Sequence, residues 1–207
     1  MEHPDNRILL RGTVSASAEY SHEVRGLEFY RFPLAVPRLS GQEDLLTIVT
    51  RRPEDGVSLP HPGQPVEVRG EIRSFNNRSG QGSRLVITVL AHSILPAAEE
   101  PCNLAVLRGR LCKAPTLRRT PLGRDICDLL LAVERRYHRS DYLPCIAWGR
   151  LALECAGLHP GDPLFLEGRL QSRLYRKVIG EISQERTAYE VSVSRMILPD
   201  QETTDLQ

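Results

Sequence analysis

The chain has 207 residues, 41% of them hydrophobic and 26% charged, enough apolar material for one large or two small packed domains and too much for a disordered chain. Its net charge is +1, no run of eighteen apolar residues occurs, and MEHPDNR opens without an apolar leader. A membrane-spanning helix and a secretory leader are therefore not expected, and a cytoplasmic location is.

In chain order the periodicity is that of strands. ILLRGTV (8–14), FYRFPLAV (29–36), LLTIVT (45–50), VEVRGEI (66–72) and LVITVLA (85–91) are short runs rich in Val, Ile, Leu and Thr, separated by Gly, Pro, Ser and Asn. RRPEDGVSLP (51–60), between the third and fourth runs, carries Pro53, Gly56 and Pro60 and cannot hold a helix. AAEEPC (97–102) reads as a polar connection. Five further runs follow: VLRGRL (106–111), CDLLLAV (127–133), LPCIAW (143–148), LFLEGRL (164–170) and YEVSVSRM (189–196). Between the third and fourth of these, GRLALECAGL (149–158) places Leu151, Ala152, Cys155 and Leu158 at helical spacing, so a short helix is expected there.

The two series are copies of one unit. HPGQPVEVRGEI from His61 returns as HPGDPLFLEGRL from His159, NRILLRGTV from Asn6 as NLAVLRGRL from Asn103, and PLAVPR from Pro33 as LLAVER from Leu130, at offsets of 97 or 98 residues. Both copies end in Ile-Leu-Pro, at 94–96 and 197–199. The expected organisation is an all-β chain of two tandem five-stranded OB-fold barrels, the second with a helix between its third and fourth strands. Residues 1–97 form the first, degenerate barrel, 98–102 the linker, 103–199 the second barrel and 200–207 a short tail.

Charge divides along the same line. Residues 1–102 carry 11 basic against 13 acidic side chains, and residues 103–199 carry 16 against 10. Five cysteines without a C-x-x-C pair are read as reduced, mostly buried side chains, so no metal is expected. The six histidines form no H-x-x-x-H or H-x-E pattern, and neither G-x-S-x-G nor G-x-x-x-x-G-K is present. No catalytic residues, no cofactor and no enzyme activity are expected.

Four ordered blocks in the second half carry a resemblance: NLAVLRGRL, APTLRRTPLGR leading into LLLAVERRY, YLPCIAWGRLALECAGLHPGD, and LFLEGRLQSRLY ending with YEVSVSRMILP. Together they resemble the bacterial single-stranded DNA-binding protein family, the second unit matching best. The resemblance implies base-stacking platforms at Tyr137, Tyr142, Trp148 and Tyr175. Phosphate contacts are expected from neighbouring cations, chiefly Arg118, Arg119, Arg135, Arg136, Arg173, Arg176 and Lys177. In the first unit the same platform positions read Ser40, Leu45, Arg51 and Asn77, while Phe29, Tyr30, Phe32 and Phe75 lie elsewhere and are read as core or turn residues.

A surface that must hold any base sequence needs contacts every nucleotide offers, the π-face and the phosphate, and aromatics with arginines supply both. The resemblance thus implies sequence-tolerant binding of single-stranded DNA in replication, recombination or repair, in the nucleoid-associated cytoplasm. It also implies a homodimer bringing four barrels together and possible replication or repair protein partners. The alternative is an accessory OB protein of a primosome or recombination complex, acting through protein contacts. It draws on the ending DQETTDLQ, which lacks the acidic, aromatic-tipped tail of the family's replicative members, and on the acidic first barrel, which could serve for docking.

Overall fold

The computed structural model describes residues 5–54, 57–77, 84–97, 100–137, 139–179 and 182–197, with backbone only for 176–179 and 182–184. The first unit contains β1 (Asn6–Val14), β2 (Glu19–Val24), β3 (Leu27–Pro37), β4 (Glu43–Arg51), β5 (Pro65–Asn76) and β6 (Leu85–Pro96). The second contains β7 (Cys102–Leu111), β8 (Thr116–Arg119), β9 (Asp125–Arg135), β10 (Arg139–Trp148), α1 (Arg150–Cys155), β11 (Pro163–Ile179) and β12 (Ile182–Ile197).

Five strands of each unit close a barrel. In the first, β1 pairs with β5, β5 with β6, β6 in parallel with β4, β4 with β3, and β3 returns to β1 at Thr13 opposite Ala35. The second repeats this through β7, β11, β12, β10 and β9, closing at Arg110 opposite Ala132. Closure removes the free sheet edges that would template aggregation. A sixth strand in each unit, β2 or β8, which the sequence reading did not separate, pairs only with β3 or β9.

Alternation along the strands fills the barrels. Ile8, Leu10, Leu34, Leu46, Ile48 and Val68 are buried in the first, and Ala105, Leu107, Leu131, Val133, Leu143 and Leu166 in the second. Gly12 and Gly109 sit where each barrel closes. A Cβ on Gly12 would lie 2.3 Å from the Ala35 carbonyl oxygen, and one on Gly109 2.4 Å from that of Ala132.

The barrels are joined along β1 and β7, which pair antiparallel from Asn6 opposite Leu107 to Arg11 opposite Cys102. Asn6 faces Leu107 as Asn103 faces Leu10, so the pairing has an approximate two-fold axis that exchanges the repeats. Each Asn also extends its own barrel by one rung, its carboxamide serving as a peptide group. Asn6 donates to the Ile72 carbonyl at 2.8 Å and accepts from Ile72 N–H at 2.9 Å; Asn103 does the same with Leu170 at 2.7 and 2.9 Å.

A clamp lies on each side of this axis. Asp44 of β4, fully buried, accepts from Ser172 N–H of the second unit at 2.7 Å and from the Arg38 guanidinium at 2.5 and 2.9 Å. Arg38 also donates to the Ser172 carbonyl at 2.9 Å. Its image is Asp141 of β10, which accepts from Ser74 N–H of the first unit at 2.6 Å and from Arg135 at 2.6 Å, while Arg135 reaches the Ser74 carbonyl at 2.9 Å. One difference breaks the symmetry: Arg73 adds a third contact to Asp141, at 3.0 Å, and also pairs with buried Glu71. A carboxylate in a protein interior costs several kcal/mol unless its charge and lone pairs are met; here two backbone amides and three arginines meet them.

Helix α1 starts after Gly149, whose φ of 59° lets the chain turn sharply out of β10, and it buries Ala152 and Cys155 against β9 and β10. Cys127, Cys145 and Cys155 lie buried in this part of the core. Burial pushes the Cys155 thiol up to about 12 and the Cys145 thiol further still, which keeps both protonated and unreactive. No helix among the described residues is long and apolar enough to cross a membrane.

Three outcomes are expected in urea unfolding monitored by circular dichroism. Asp44→Ala and Asp141→Ala should each cost about 3–5 kcal/mol, because each strands buried partners, whereas removing the exposed partner of Arg31 by Glu19→Ala should cost about 0–1 kcal/mol. Gly109→Ala should cost about 1–3 kcal/mol through overpacking at the closure.

Candidate nucleic-acid interface

The outer face of the second barrel carries a groove of about 1120 Å³. Strand register builds it. Arg118 of β8 lies opposite Ile126 of β9, and Ile126 opposite Trp148 of β10, so the three stand abreast on one face. Beside Trp148 on the same strand is Ile146, which pairs in parallel with Ser192 of β12; Tyr189 of β12 also lines the groove. Trp148 ends β10 next to Gly149 and is 40% exposed, on the outer face rather than in the core.

Cations surround this apolar floor. Among the described residues, Arg118, Arg124, Arg169 and Arg173 line the groove from the second unit, and Arg38 from the first, against Glu43 and Glu190. Arg118 makes a two-pronged ion pair with Asp128 at 2.5 and 3.1 Å, which raises the pKa of its guanidinium further. Arg173 stands 6.0 Å from the centre of the Tyr175 ring and 3.9 Å from Glu190. The remaining wall comes from the first unit, whose Gln42 and Leu45 reach the groove; Leu45 is held there by its N–H bond to Ser172 Oγ at 3.2 Å.

Of the positions singled out from the sequence, the groove gathers Trp148, Arg118 and Arg173. Tyr175 lies further along β11 on the same face as Arg169, Gln171 and Arg173, and is partly buried. Tyr137 is outside the groove, 89% exposed in the turn between β9 and β10 with a left-handed φ of 65°. Tyr142 is 49% exposed, and its N–H is bound to Ser74 Oγ of the first unit at 2.7 Å, which places it at the junction of the barrels. Arg119 pairs with Asp125 at 3.0 Å on the exposed β8 edge, and Arg136 is exposed. Arg135 differs in its surroundings, a part-buried guanidinium engaged by Asp141 and by the Ser74 carbonyl in the clamp between the units. The side chains of Arg176 and Lys177 lie outside the described residues.

Tyr189, Arg169 and the first unit's Arg38 are groove residues that the sequence reading did not name, and Leu45, noted there only as a platform position without an aromatic, joins them. A signal for Arg38 was present, since it and Arg135 end the repeated segments PLAVPR and LLAVER. Nothing in the sequence indicates that Leu45 crosses to the other unit, because that depends on the way the repeats pack.

Residues 102–199 match the Single-strand binding protein family. Over 86 residues, 38% of this chain and 50% of the relative, the sequence is 37% identical to single-stranded DNA-binding protein A of Bacillus subtilis. Over 104 residues, 45% and 58% of the two chains, it is 34% identical to the single-stranded DNA-binding protein of Neisseria meningitidis. The chain therefore spans about half the length of the curated relatives it matches. Among solved structures, that of the wild-type single-stranded DNA binding protein from Thermus aquaticus superposes with a TM-score of 0.74 at 27% identity, covering 94% of this chain and 92% of the other. That superposition takes in both barrels, and the family match takes in the whole of the barrel that carries Trp148. The second unit, residues 102–199, is thus similar to the single-strand binding protein family, and both barrels share their fold with the Thermus aquaticus protein.

Proposed function

We propose that this chain binds single-stranded DNA with little regard to sequence, in replication, recombination or repair, and that the strand lies in the groove between the second barrel and the β3–β4 turn of the first. The observation that carries this reading is the row of Arg118, Ile126 and Trp148, an exposed indole set among arginines on the floor of a groove. The curated relatives are named for the same activity.

Bases stack on Trp148, with Tyr189 beside it and buried Ile126 beneath, and phosphates meet the arginines. Stacking selects the single strand, since a duplex keeps its base faces covered. Arg118 and Arg119 are already paired with Asp128 and Asp125 at exposed positions. Exposed pairs of this kind are worth about 0–1 kcal/mol, so exchanging the carboxylate for a phosphate, with release of counterions, is energetically cheap.

Trp148 is the chain's single tryptophan, and its fluorescence should be quenched by oligo-dT and not by a duplex of equal length. In an anisotropy titration with labelled oligo-dT, Trp148→Ala should weaken binding by about 5- to 150-fold, the loss of one stacked base. Absence of quenching together with absence of a mobility shift at micromolar protein would overturn the proposal. Arg118→Ala with Arg173→Ala should lower the slope of log K against log salt by up to about 1.4, or about 0.7 for each lost single-strand phosphate contact.

A further inference from the structure

The first unit repeats the outer face of the second with its stacking and cationic groups exchanged. The row equivalent to Arg118, Ile126 and Trp148 is His22, Phe29 and Arg51: His22 of β2 lies opposite Phe29 of β3, and Phe29 opposite Arg51 of β4. Where the second unit has an aromatic on the third strand of the row, the first has a cation; where the second has the buried aliphatic side chain of Ile126 in the middle, the first has a phenyl ring. A second exchange lies on the adjoining hairpin. Ser74 and Ser172 are the paired residues of the two clamps, so the residues that follow them correspond, Phe75 to the groove-lining Arg173.

These groups share one face. Phe75, Arg73 and Glu71 of β5 lie opposite Val86, Thr88 and Leu90 of β6, Leu90 pairs in parallel with Val49 of β4, and Arg51 follows Val49 by two residues. Phe75 is 53% exposed. The His22 and Phe29 rings are already stacked, with centroids 4.9 Å apart and planes within 4° of parallel, and Ser21 Oγ lies 3.0 Å from His22 Nδ1. Glu71 is met by Arg73 and His92, so it does not set a bare negative charge on this face. Of the four first-unit aromatics read as core or turn residues, Phe32 is in the core at 1% exposed, while Phe29 and Phe75 contribute to the outer face.

The second unit supplies the edge. The pseudo-two-fold that brings Leu45 into the groove of the second unit brings its counterpart, Tyr142, to the corresponding edge of the first, held by the bond from its N–H to Ser74 Oγ beside Phe75.

We propose that the first unit carries a second single-strand contact surface, made of Phe75, the His22–Phe29 pair and Arg51, and completed by Tyr142 from the second unit. Its occupant is the same DNA strand that lies in the Trp148 groove, continuing across the axis relating the barrels. Both surfaces offer the two groups every nucleotide can use, a flat ring and a cation, at exchanged positions. This inference rests on the single-strand reading of the groove.

The full-length chain is titrated with oligo-dT of about 12 nucleotides, within the range one OB barrel covers, and of about 30, which reaches two. Trp148 quenching and the number of nucleotides bound per chain at saturation are recorded for the wild type, for Phe75→Ala with Arg51→Glu, and for His22→Ala. In the double variant the short strand should quench Trp148 as in the wild type, which also reports an intact fold. The long strand should bind about 5- to 150-fold more weakly, as expected for one lost stack, and fewer nucleotides should be covered per chain. His22→Ala should move both readings the same way by less. Cross-linking of an iododeoxyuridine-substituted long strand to the peptides holding Phe75 and Tyr142 would support the surface independently. Unchanged long-strand affinity and coverage in both variants, with Trp148→Ala still impaired, would overturn this surface and leave the groove standing. No binding by the wild type would overturn both.

Discussion

The buried carboxylates of Asp44 and Asp141 set the relation between the two barrels, and every larger surface of the molecule depends on that relation. Each reaches across the boundary to a backbone N–H of the other repeat, and each is neutralised by an arginine of its own repeat that also reaches across to a carbonyl. Such a contact tolerates little change of geometry, because a displaced partner leaves a charge in a medium that cannot solvate it. Between the clamps, β1 and β7 share backbone hydrogen bonds, so the barrels continue one sheet rather than hang on a linker.

Rigid coupling makes the groove a joint property. Its floor and most of its cations come from the second barrel, but one wall is the β3–β4 turn of the first, fixed by the clamp at Ser172. The same symmetry carries Tyr142 to the other side. An aromatic that belongs to the second barrel by sequence stands beside the first in space. Divergence of the two repeats has therefore changed what each face offers while the framework has stayed the same, with Asn6 and Asn103, Gly12 and Gly109, and the two clamps in matching roles.

Much of this was legible in the residues. Strand alternation, the repeated segments and the helix-permitting GRLALECAGL fixed two barrels and the place of α1, because those features depend on neighbours in sequence. Trp148, Arg118 and Arg173 were named through the family resemblance, and the structure places all three along one groove, on strands β10, β8 and β11. Arg135 was assigned to phosphate contact, and its engagement in the clamp could not be read, since its partners Asp141 and Ser74 come from different repeats. The strands β2 and β8 escaped because they are short, mostly exposed edge segments without a clear apolar alternation.

What the sequence determined by itself is the duplication, the barrel class and the concentration of positive charge in the second half, all properties of local pattern and composition. Tertiary structure decided which side chains share a surface. Leu45 lines the groove of the opposite repeat, Phe29 and Phe75 join an outer face instead of the core, and Arg135 holds a carboxylate. The reason is that a two-fold association of repeats brings together residues roughly a hundred positions apart, and no periodicity within either repeat encodes which face meets which.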